Sequence, residues 1–216
     1  MKRFIKKLIP EFILTYRSKK YIDGVILHWK NNNTKGAPPH IIKQLHIKNL
    51  QNKFNVHVLV ETGTYLGSMV KAQCLNFKYI YTIEVSEEIF ASTKNSLKAL
   101  TNVEFLLGDS GEVLQKLVNQ IKEPALFWLD GHYSGGITSK GVLNTPIFKE
   151  LDSIFETPFR HVILIDDAQD FTGKDDYPSI EDLKQYLISK NNNYIFKIKD
   201  NMIFILPTDI NINDVY

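Results

Sequence analysis

From Val56 onward, short β-branched and aromatic runs alternate with helix-compatible stretches, and this alternation constrains the fold more than any other feature. The runs are VHVLVET (56–62), YIYTIEV (79–85), VEFLL (103–107), ALFWLD (125–130) and HVILIDD (161–167). Their near-continuous apolar character is that of strands buried on both faces of a parallel sheet. Helix starts lie between them. Ser86 is an N-cap followed by Glu87 and Glu88, and Thr145-Pro146 and Pro178-Ser179 open two more helices. The end departs from this rhythm: YIFKIKDNMIFIL (194–206) divides around Asp200-Asn201, the signature of a hairpin with a tight turn. The prediction is α/β: a doubly wound, mostly parallel sheet with a C-terminal antiparallel β-hairpin. A plain dinucleotide-binding domain more often continues with another βα unit.

A chain of 216 residues, 44% apolar, can bury one sizeable core. The lone Cys74 excludes an intramolecular disulfide framework and an all-cysteine metal site, and is expected as a buried small apolar residue. No apolar run approaches the roughly 20 residues of a membrane-spanning helix.

Charge is unevenly placed. Residues 1–53 hold 12 of the 26 Lys and Arg but 2 of the 24 Asp and Glu, a net of +10; residues 54–216 carry −8. The division predicts a basic helical N-terminal extension (1–53) and one ligand-binding domain (54–216). The extension starts MKRFIKKLIPEFILTY, with apolar residues near helical spacing. Two readings stand for it: a helix docked on the body or on a second subunit of a homodimer, or a peripheral contact with anionic lipid. Lys6, Lys7, Pro10 and Glu11 interrupt any secretory signal, so the expected location is cytoplasmic. NNNTKGAPP reads as a loop, and Pro38-Pro39 opens a helix to about Asn52.

In open α/β sheets, ligands bind beyond the carboxyl ends of the strands. There the sequence places Glu61-Thr62-Gly63-Thr64-Tyr65-Leu66-Gly67-Ser68, then Glu84, then Gly108-Asp109-Ser110, then Asp130-Gly131-His132, then Asp166-Asp167. A Gly-rich turn before a helix suits an anionic group at free N–H donors. A carboxylate about 20 residues further on suits ribose hydroxyls, as Glu84 would.

ETGTYLG, TIEVS and LLGDSGEVL, in that order and followed by the hairpin, resemble the class I S-adenosylmethionine-dependent methyltransferases, over about residues 54–206. The resemblance implies their Rossmann-like, seven-stranded sheet and their cofactor. It implies that Glu61, Gly63 and Gly67 shape the loop at the methionine end, with Thr64, Tyr65 and Ser68 beside them. It implies that Glu84 holds the ribose and that Asp109 meets the adenine amino group, with Ser110 nearby. Tyr65 stands where the family's usual middle glycine would be, so the loop bends without that glycine or Tyr65 shields the cofactor.

Asp130, with the pair Asp166-Asp167, resembles the metal site of catechol-type and sugar O-methyltransferases. There, hard oxygen ligands hold Mg²⁺ against the substrate. His132 is then the candidate base, with Asp130 the other candidate catalytic residue. FWLDGHYSGGITSKG is similar to a stretch of bacterial surface-sugar-cluster methyltransferases, which implies a role in polysaccharide biosynthesis. The bland readings stay open: Asp166-Asp167 as a local cap, His132 as a structural hydrogen-bonding residue, and Asp130 touching cofactor or substrate without a metal. The segments 131–145 and 168–178 are expected to order on ligand binding.

The expected acceptor is a sugar or other small hydroxyl compound. Amine, phosphoryl or nucleic-acid acceptors, and a different α/β nucleotide-binding protein, remain alternatives. The acidic edge argues against nucleic acid lying across the site.

Overall fold

The computed structural model describes residues 11–31, 37–131, 145–191 and 193–208. His132 and most of the 131–145 segment lie outside them. The chain forms two compact units, Met1–Lys43 and Gln44–Tyr216. The first contains helix α1 (Glu11–Asn31) and the start of α2 (His40–Phe54). No described helix is long and apolar enough to cross a membrane.

The second unit continues with β1 (Val58–Thr62), α3 (Ser68–Gln73), β2 (Tyr79–Glu84), α4 (Glu87–Ser96), β3 (Val103–Leu107) and α5 (Ser110–Leu117). After these come β4 (Ala125–Leu129), α6 (Ile147–Phe155), β5 (Val162–Ile165), a 3₁₀ turn (Ala168–Asp170), α7 (Ile180–Lys190), β6 (Tyr194–Lys199) and β7 (Met202–Pro207). The seven strands lie in the order β3-β2-β1-β4-β5-β7-β6. β1 to β5 are mutually parallel, and β7 runs antiparallel between β5 and β6. The sequence prediction of a mostly parallel sheet closed by an antiparallel hairpin is met.

Local chemistry starts the helices where expected. Ser86 Oγ accepts from Ile89 N–H to cap α4, and Ser179 with Asp182 forms a capping box on α7. Alternate strand residues feed two cores. Val58, Val60, Phe127, Leu129, Ile163, Ile165, Ile203 and Ile205 join Leu114, Leu117, Leu151, Ile154, Leu183 and Leu187 of α5, α6 and α7. Leu59, Leu126, Trp128, Leu164 and Phe204 are equally buried on the opposite face, where His46 of α2 sets its ring edge-on to Phe204.

Two expectations need correction. β3 is not buried on both faces: it is the sheet's open edge, with Glu104 and Leu107 exposed. A cleft of about 430 Å³ runs between it and α5, ending at Asp109. Cys74 is partly exposed, its thiol near the Lys71 carbonyl, because it lies at the solvent-side end of α3.

Candidate active site

Parallel β1 to β5 deliver their carboxyl ends to one edge, and neighbouring strand ends are hydrogen-bonded there. Thr62 Oγ1 accepts from Asp130 N–H (3.2 Å) and Gly131 N–H (3.1 Å), tying the turn after β4 to β1. Gly63 has φ of 82°, and a Cβ there would lie 2.4 Å from the Asp130 carbonyl oxygen. A Cβ on Gly131 would lie 2.9 Å from Thr62 Oγ1. Glycine at both positions lets the first and fourth loops touch.

Glu84 is 6% exposed at the end of β2. Its Oε2 accepts from Tyr65 N–H at 2.8 Å and its Oε1 from Ser86 N–H at 3.0 Å. Two backbone donors from different loops fix the carboxylate, and its remaining lone pairs can accept from hydroxyl donors. Tyr65 takes φ of 46° without glycine; its N–H goes to Glu84, and its carbonyl accepts from Thr93 Oγ1 at 2.6 Å. Gly67 follows at φ of 67°, and exposed Ser68 opens α3.

Glu61 is buried on β1. Thr82 Oγ1 donates to its Oε2 at 2.6 Å, and the Thr64 and Thr82 hydroxyls are 2.6 Å apart, a relay across β1 and β2. Burial pushes the Glu61 carboxyl up to about 8; the Thr82 hydrogen bond opposes the rise, and the charges of Asp130 and Glu84 add to it. Glu61 is therefore mostly protonated at neutral pH.

Asp109 caps α5, its Oδ1 accepting from Gly111 N–H at 2.9 Å. Ser110 Oγ donates to Glu150 Oε1 of α6 at 2.6 Å, both side chains being buried. That partner gives Ser110 a role in packing α5 on α6 that its sequence context does not signal.

Asp130, Asp166 and Asp167 converge, each offering a carboxylate oxygen within 4.8 Å of the others. Asp166 is fully buried and its Oδ1 accepts from Asp167 N–H at 2.9 Å. Asp167 holds φ of 47°. Sequence reading missed two neighbours of this cluster. Asn201, in the β6–β7 turn, donates Nδ2 to Asp167 Oδ1 at 3.1 Å. Tyr177 packs edge-on against Phe171 with centroids 5.6 Å apart, and its hydroxyl is held above its ordinary pKa by burial and by the charges of Asp170, Asp167 and Asp130. The 168–178 segment that carries Tyr177 is pinned by a Thr172–Ser179 bridge and by Ile180 N–H to the Phe171 carbonyl.

Solved methyltransferases share this fold. A Staphylococcus aureus protein assigned to the caffeoyl-CoA O-methyltransferases superposes with TM-score 0.55 and 15% identity, covering 91% of this chain and 98% of its own. The Streptomyces achromogenes O-methyltransferase TomG, involved in tomaymycin synthesis and solved with SAM, gives 0.56 and 12% over 87% and 89% of the two chains. A Bacillus cereus O-methyltransferase in complex with SAH gives 0.54 and 14% over 86% and 90%. No family model and no curated sequence matches the chain. At these identities the likeness establishes the fold.

Proposed function

We propose that the protein is an S-adenosylmethionine-dependent methyltransferase that methylates a hydroxyl of a small polar acceptor, of the sugar class, with a divalent cation such as Mg²⁺ at the acidic cluster. The observation that carries this reading is a juxtaposition on one sheet edge. Glu84, a carboxylate oriented by two backbone amides, stands on the same edge as three aspartates whose carboxylates lie within 4.8 Å of one another.

The donor sets fit both groups. Glu84 offers fixed acceptors for ribose hydroxyls, and the cap residue Asp109, just past β3, offers an acceptor for the adenine amino group. Glu61, neutral without a ligand, regains its charge beside an ammonium group, since an opposite charge favours ionisation. Asp130, Asp166 and Asp167 are hard oxygen ligands suited to Mg²⁺, and a cation relieves the repulsion among them. When bound, the cofactor supplies an electrophilic methyl group and the cation lowers the pKa of an acceptor hydroxyl. The chain's part is to align acceptor and cofactor and to exclude water. His132 is assigned as the group that takes the acceptor proton, and Tyr177 as a wall of the acceptor site.

Calorimetric titration with SAM and SAH, with Mg²⁺ and then EDTA, tests this, followed by methyl transfer to sugar hydroxyls. Binding of both ligands and EDTA-sensitive transfer are expected. Folded protein that binds neither ligand would overturn the cofactor assignment, and transfer indifferent to EDTA would overturn the cation.

A further inference from the structure

The terminal hairpin does more than fill the sheet edge. β7 pairs with β5 so that Ile203 lies opposite Ile165, and the same register carries the β6–β7 turn to the residues just past β5. Asn201 makes three contacts there. Its Nδ2 donates to Asp167 Oδ1 (3.1 Å), its Oδ1 accepts from Gln169 N–H (2.9 Å), and its backbone carbonyl accepts from Ala168 N–H (2.8 Å). One turn residue thus clamps the segment that presents Asp167.

Turn chemistry does not explain the choice of asparagine. Asp200 and Asn201 have φ of 48° and 58°, a two-residue turn with both central residues left-handed. Glycine serves that second position at least as well. What glycine lacks is the amide. Asp167 needs such support: at φ of 47° a non-glycine residue persists only where its surroundings fix it. An amide donor on Oδ1 orients the carboxylate.

We propose that Asn201 is a positioning residue that orients the Asp167 carboxylate within the acidic cluster, so that the terminal hairpin sets the geometry of the cation site. This rests on the cation reading given above. Groups that orient metal ligands typically contribute about 10- to 100-fold in affinity.

The test uses the full chain and Mn²⁺ as probe, with free Mn²⁺ read by electron paramagnetic resonance and folding read by thermal melts. N201G keeps a glycine-compatible turn and removes the amide. D200G alters the same turn and removes the contact of His46 Nε2 with Asp200 Oδ2 (2.7 Å), leaving the Asn201 amide in place. The expected result is that N201G loses about tenfold or more in Mn²⁺ affinity with a melting temperature within a few degrees of wild type, whereas D200G binds Mn²⁺ as wild type does. Wild-type affinity in N201G would overturn the proposal. An equal loss in both variants would also overturn it, assigning the effect to turn integrity. Wild-type protein that binds no Mn²⁺ would instead overturn the cation reading itself, and this inference with it.

Discussion

Two buried titratable groups sit at opposite ends of the sheet, and desolvation drives both toward neutrality. Glu61, at the carboxyl end of β1, is pushed up to about 8; His161, just before β5 at the amino end, is pushed down to about 4. Their surroundings differ in kind. The fold itself answers both ring nitrogens of His161: Ala125 N–H donates to Nδ1 at 3.0 Å, so Nε2 carries the proton and donates to Thr157 Oγ1 at 2.8 Å. That hydroxyl in turn donates to the Ile154 carbonyl. Glu61 has Thr82 on one oxygen, and the charges of Asp130 and Glu84 raise it further. The amino end satisfies its buried polar group completely. The carboxyl end gathers acids of like charge, an arrangement suited to a positively charged ligand.

The comparison breaks most visibly if the acids at the carboxyl end prove interchangeable. Asp167→Asn is expected to lower turnover by about 10³-fold, roughly 4 kcal/mol of barrier, with SAM affinity little changed. Glu84→Ala should do the reverse, weakening SAM by about 10- to 100-fold while sparing Mn²⁺. Calorimetry and initial rates on the two variants read this, and crossed results would collapse the division into cofactor and cation halves.

The next effect belongs to the amino end. The unfolded chain binds a proton at His161 below pH 6.5, and the folded chain resists until about pH 4. Stability contributed by neutral His161 is thus full above pH 6.5 and falls as the pH drops from there to about 4, by roughly 3 kcal/mol in total. Urea melts of wild type and His161→Gln over that range test it; parallel pH profiles would show that His161 is not the group responsible. The smallest effect sharpens the other side. SAM binding at pH 7 should release part of a proton as Glu61 ionises beside the ligand's ammonium group. The release appears as a dependence of binding enthalpy on the buffer's ionisation enthalpy. No dependence would remove Glu61 from the methionine end.

What the sequence disclosed and what it withheld follow from locality. The acids of the site lie at or just past the ends of five apolar runs, so Glu61, Glu84, Asp109, Asp130, Asp166 and Asp167 are visible as strand-end residues without any knowledge of pairing. The hairpin turn at Asp200-Asn201 is visible for the same reason. Strand order is not local. Nothing in VEFLL distinguishes an edge strand from a central one, and nothing in KDNM says that its turn meets the residues after β5. Thr82 lies mid-strand in β2, and its bond to Glu61 depends on the β1–β2 register that sets the two residues side by side. Glu150, Tyr177 and Asn201 likewise reach the site or its supports only through tertiary pairing.

The placement of β7 also orders events during synthesis. Among the described strands, β6 pairs only with β7, and β7 fills the place beside β5. As the chain leaves the ribosome, β6 emerges first yet has no strand to join. The Val162–Ile165 edge, buried in the finished protein, stays open until Ile203–Ile205 arrives. An apolar strand with an unpaired edge is a template for association. Nascent chains halted before Met202 should therefore hold chaperones and be cut readily by protease, and chains that have cleared Pro207 should not. Of the described strands the last to be made is an interior one, so the β5 edge stays open to association until just before this sheet is sealed.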